Sequence, residues 1–227
     1  MTTTIPAPAV TTRALLGCGL AAGPLYVTVS LAQAFTRDGF DVRRHAWSLL
    51  ANGEHGWIQV TNLALTGVLL LAFAAGLRRA LGGAPTAGLR DAPTAGGRAA
   101  PRLIGAFGAS MVVAAAFRAD PALGFPAGTP DGPGAVSWHG LVHLAAGGVG
   151  FTCLAIGCLV LGRRYAAEGR RRWAAAARVT GVAFLAGFAG VASGQGGAVT
   201  VLGFVAAVLL VFGWLTAVSA DLLRATA

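Results

Sequence analysis

Histidines are the side chains of this chain best placed to do chemistry, and two of them are spaced to act together. His139 and His143 are four residues apart, so on a helix they share one face. Two imidazoles at that spacing reach a single metal ion. His45, Asp120 or Glu54 would supply a third ligand, and a metal-bound water would then attack an ester or amide with a carboxylate as base. A plainer reading gives both histidines to hydrogen bonds with neighbouring helices or loop carbonyls, because a buried imidazole without a partner pays for its lost hydration. In that reading Asp120 and Arg118 form a loop ion pair or cap a turn. Together His45, Ser48, Trp57, Gln59, Arg118, Asp120, His139 and His143 form a candidate polar pocket for a ligand.

The elements that must position these residues are membrane spans. Trp138–Gly162 runs for 25 residues without Asp, Glu, Lys or Arg. At 1.5 Å rise per residue, roughly 20 such residues cross a hydrocarbon core of about 30 Å. The whole chain is 56% apolar and 11% charged, against about 25% charged in a soluble domain. Six spans are expected, at about 14–35, 57–77, 101–118, 138–162, 174–193 and 198–219, giving an all-α six-helix transmembrane bundle. Residues 1–12 read as a disordered tail and 221–227 as a short one. Between the second and third spans, 78–102 reads as a low-complexity loop in which APTAG occurs twice, at Ala84–Gly88 and Ala92–Gly96. Gly194–Gly197 reads as a tight turn, and Trp57 and Trp138 as interface anchors. Ala32-Gln33-Ala34 has the form of a signal-peptidase site, but the apolar stretch before it is long for a signal and its basic flank thin, so a retained first helix is expected.

Arginine placement sets the orientation. All 17 basic residues are arginine, and 13 of them lie in the termini and the even connections, with four in the odd ones. Positive charge accumulates on the cytoplasmic side, so both termini are expected inside and the His139 end of the fourth helix outside. The net charge of +9 sits beside apolar segments, which points to a membrane surface and away from nucleic acid. Cys18, Cys153 and Cys158 fall in apolar stretches, without disulfide or zinc spacing. The first, third, fifth and sixth spans contain no histidine, which speaks against a buried bis-histidine haem. No span carries a central acidic residue of the kind that drives many secondary transporters, and no phosphate loop, nucleophile elbow or H-E-x-x-H is present.

Two stretches carry a family resemblance. One is His45-Ala46-Trp47-Ser48-Leu49-Leu50 followed by Asn52–Gln59; the other is Phe117–Pro121 with Gly124-Phe125-Pro126 and then Trp138–His143. In these, and in the six-span layout over about residues 14–220, the chain resembles the DUF998 family of prokaryotic integral membrane proteins. His45, Ser48, Gly56, Trp57, Gln59, Asp120, Pro121 and His143 match the pattern. The resemblance implies a multi-pass protein of the bacterial cytoplasmic membrane and no established activity. A non-enzymatic protein that binds or senses a small or lipidic ligand in an outward-facing pocket is expected, with membrane lipids as partners and no cofactor. The guanidinium groups of Arg37, Arg43, Arg44 and Arg118 would suit a lipid phosphate. The alternative is a zinc-dependent membrane hydrolase using His139 and His143 with Asp120 or His45. Impermeant thiol labelling of intact cells tests the orientation: Gly128→Cys is expected to react and Ala92→Cys is expected to stay protected.

Overall fold

The structure, a computed structural model, describes residues 11–82, 95–193 and 197–225. It consists of α1 (Thr12–Thr36), a 3-10 helix (Trp47–Ala51), α2 (Gly56–Gly82), α3 (Ala95–Ala116), α4 (Trp138–Ala167), α5 (Arg171–Ala192) and α6 (Ala198–Ala225). All six α-helices are long and apolar enough to cross a bilayer, and no strand is found among the described residues. The expected all-α bundle of six spans is therefore what forms.

The helices run further than hydropathy alone suggests. α2 continues through Arg78 and Arg79 to Gly82, α4 through Arg163 and Arg164 to Ala167, and α6 to Ala225. α3 starts at Ala95, well before Pro101. Arginine and alanine are good helix formers, so the backbone stays helical after the side chains have turned polar. Of the expected tail at 1–12, α1 takes in Thr12 and residues 1–10 lie outside the described residues, as do the first APTAG copy and the glycine turn around Gln195.

Each helix packs mainly on its neighbours in sequence, and α6 closes back on α1, so the six form a ring. The start of α1 and the end of α6 meet at one end of it, where Arg13 Nη1 donates to the Leu223 carbonyl at 3.3 Å and the Ser219 hydroxyl donates to that of Leu16. This is called the terminal end. The long loops 37–55 and 117–137 lie at the other, the loop end.

Two kinds of contact hold the ring in a solvent that offers no hydrophobic drive between helices. One is close backbone approach. A Cβ on Gly67 would sit 2.6 Å from the Gly108 carbonyl oxygen, and one on Gly108 would sit 2.9 Å from that of Gly67, so α2 and α3 cross where neither has a side chain. The other is hydrogen bonding between α1 and α2. Gln33 Nε2 donates to Gln59 Oε1 at 2.8 Å, and both Asn62 Nδ2 and Gln59 Nε2 donate to Ser30 Oγ, at 3.2 and 3.1 Å. At the terminal end Arg170 forks onto Asp221 at 2.9 and 2.8 Å and lies over the rings of Tyr165 and Trp173. The bond to Asp221 raises the Arg170 pKa above its ordinary value.

The crossing predicts a contrast between two glycines. Gly67→Ala is expected to cost about 1–3 kcal/mol, since backbone must shift to admit the methyl. Gly213, with open space around its Cβ position, is expected to accept alanine at no loss, because alanine favours helix by about 1 kcal/mol. Unfolding in mixed micelles measures both.

A capped aromatic cavity as the candidate functional site

The loop end is a folded cap. His45 is buried, and its Nδ1 accepts from the Asp41 backbone N–H at 2.8 Å. A backbone N–H only donates, so the ring hydrogen is on Nε2, which donates to the Leu123 carbonyl at 3.0 Å. This one side chain ties loop 37–55 to loop 117–137. Leu123 itself has φ 59°, in the left-handed region, and is held there by bonds from its N–H to Gly132 O at 2.8 Å and from Gly124 N–H to Pro130 O at 3.0 Å. The rings of Phe40 and Phe125 flank His45. Arg37 donates to the carbonyls of Leu50 and Asn52 at 2.9 and 2.7 Å and lies over Phe125. Burial lowers its pKa from the ordinary arginine value.

Beside the cap, α3 ends and α4 begins, and each end is satisfied by a side chain. Asp120 accepts from the Ser137 N–H at 2.8 Å and from its hydroxyl, while Ser137 Oγ accepts from the Gly140 N–H at 3.1 Å. The carboxylate thus sits at the positive end of α4. A Cβ at Gly140 would collide with it. His143, one turn further, meets the carbonyls of Ala114 at 3.2 Å and Phe117 at 2.9 Å through Nδ1. Both are acceptors, so Nδ1 carries the hydrogen, and the imidazole caps the C-terminus of α3.

Under this cap the ring of helices encloses a cavity of about 140 Å³, to which all six helices and the 3-10 helix contribute. Its wall is largely aromatic. Phe107, Phe151, Phe184, Phe188, Phe204 and Phe212 form a continuous set of ring contacts, and Tyr26 joins it through Phe212 and itself meets Trp47. Ser48, Ser110 and His143 supply polar atoms, and Trp47 lines the wall from above. The Trp47 indole N–H is buried with no hydrogen-bond partner among the described residues. Leu144, in the lining, is 63% exposed, so the cavity opens beside the loop-end start of α4.

The candidate residues are thus put to separate uses. Ser48 and His143 line the cavity; His45 locks the two loops; Asp120 caps α4; Gln59 belongs to the α1–α2 network. Arg118 is exposed, as is Trp57 at the start of α2, and His139 is exposed and stacks on Trp138 with ring centroids 3.6 Å apart. Of the arginines considered for a phosphate, Arg37 is spent on loop carbonyls and Arg44 lies 3.7 Å from Asp131 at the surface. Among the described residues, no three His, Cys, Asp or Glu side chains come close enough together to hold a metal ion. The phenylalanine wall was not read from the sequence, although a signal exists. His143, Gly147 and Phe151 recur every four residues, as do Phe184 and Phe188, and Phe204 and Phe212 lie eight apart.

Six apolar helices with a capped interior define a multi-pass α-helical membrane protein. The sequence profile described as a protein of unknown function, DUF998, matches residues 20–222, and the chain belongs to that family. No curated protein and no solved structure matches the chain.

The His45 lock gives a test of the cap. His45→Ala leaves a buried carbonyl and N–H unpaired, which costs about 1–3 kcal/mol and corresponds to roughly 5- to 150-fold more local opening. Proteinase K is expected to cut loop 117–137 faster by that factor, with helix content by circular dichroism unchanged.

Proposed function

We propose that this protein binds a small apolar or amphiphilic molecule, taken from the bilayer, in the aromatic cavity beneath the loop cap, and that it does so without chemical turnover. The observation that carries the reading is the cavity at the junction of all six helices, walled by aromatic rings with a few polar atoms at its loop side. Its volume is close to the about 150 Å³ of an engineered apolar cavity that holds benzene. A bundle free to pack would fill such a space, since lost dispersion contacts destabilise it. The cap supports the same reading: its buried bonds hold Trp47 and Ser48 over the cavity. In this reading the loop end faces outward, as the arginine bias favours, and the arginine-rich terminal end lies against anionic headgroups of the cytoplasmic leaflet.

Toluene is a suitable first probe. A ligand at about 100 times its Kd stabilises its receptor by about 2.7 kcal/mol, so toluene is expected to raise the melting temperature in nanodiscs by several degrees. Gly147 lines the cavity, and a Cβ there would meet only its helix neighbour Phe151, at 3.7 Å. Gly147→Leu therefore fills the space and is expected to abolish the shift. Equal shifts in both proteins would place toluene in the lipid and refute the reading.

A further inference from the structure

The polar atoms around the cavity restrict what it holds. His143 Nδ1 is committed to the two carbonyls at the end of α3 and carries the ring hydrogen. In the neutral ring Nε2 is then a lone-pair acceptor, and it has no protein partner among the described residues. Ser110 donates its hydroxyl hydrogen to the Phe107 carbonyl at 2.8 Å, so it too presents lone pairs. A bare hydrocarbon would leave both atoms without a donor. The rest of the wall is rings, whose edges and faces favour another ring over an alkyl chain.

We infer that the cavity takes a hydroxylated ring compound of the phenol or hydroquinone class, whose O–H donates to His143 Nε2 and whose ring lies among the phenylalanines of α3–α6. The hydroxyl lies toward the cap, on the side where His143, Ser48 and Trp47 line the space, and the ring points to Phe107 and Phe212. This rests on the ligand-binding reading above and narrows it to a ligand class.

Three probes that differ at a single position separate the two. p-Cresol has the ring and the donor, 4-methylanisole has the ring with the donor methylated, and toluene has the ring alone. Binding is measured by titration calorimetry on the full chain in nanodiscs, with empty nanodiscs subtracted for partitioning. p-Cresol is expected to bind at least tenfold more tightly than either of the others. His143→Asn keeps an N–H donor near the Nδ1 position for the α3 carbonyls and removes the Nε2 lone pair, so it is expected to lose that tenfold preference while still binding toluene. Equal affinities for all three in the native protein would overturn the hydroxyl recognition and leave the cavity reading standing. No saturable binding of any of them would overturn both. An unchanged preference in His143→Asn would remove His143 as the recognising group and overturn the inference as stated.

Discussion

Hydrocarbon supplies no hydrogen bonds, and this single constraint shapes most of what the chain does at the loop end. A helix that stops inside or near the bilayer leaves carbonyls and N–H groups that must be met by the protein itself. α3 stops at Ala116 and is answered by the imidazole of His143; α4 starts at Trp138 and is answered by Ser137 and Asp120. The same requirement bears on the amide cluster of Gln33, Gln59 and Asn62, in which Gln33 donates to Gln59 and Asn62 to Ser30 across the α1–α2 contact. Two of the candidate site residues, Asp120 and His143, serve as fittings of helix ends.

His143 serves two neighbourhoods at once. One ring nitrogen holds the end of α3, and that bond fixes the orientation of the ring, so the other edge is presented to the cavity with a defined chemical character. A side chain free to rotate would offer a donor or an acceptor at will. In the binding proposed above, it is the clamped ring that discriminates. The aromatic wall works by the same logic on a larger scale: Phe151 touches Phe107, Phe184, Phe188 and Phe204, so rings from four helices fix one another and keep the space open.

The fold was legible in the sequence because hydropathy over roughly 20 residues and arginine at span ends are strong, local signals. The helix ends were less so: Arg78 and Arg79 mark where the side chains leave the apolar zone, while the backbone of α2 continues to Gly82. Within the candidate pocket, His143 and Ser48 were found by residue type and position, and both line the cavity. His45 and Asp120 were also singled out, but their contacts are with Leu123 and Ser137, pairings set by loop conformation that no periodicity encodes. The phenylalanines escaped notice because in a membrane segment an apolar residue faces lipid or the interior equally well, and composition does not separate the two.

The ring order also bears on how such a molecule is made. Helices that touch chiefly their sequence neighbours can assemble as hairpins while the chain is still emerging, each new span finding its partner already in place. One seam is different. The α1–α6 contact joins Leu16 to Ser219 and Arg13 to Leu223, residues some two hundred positions apart, so it closes only after the last helix is inserted. Until then the aromatic interior stands open along one side, and the compartment beneath the cap comes into existence with the final stitch.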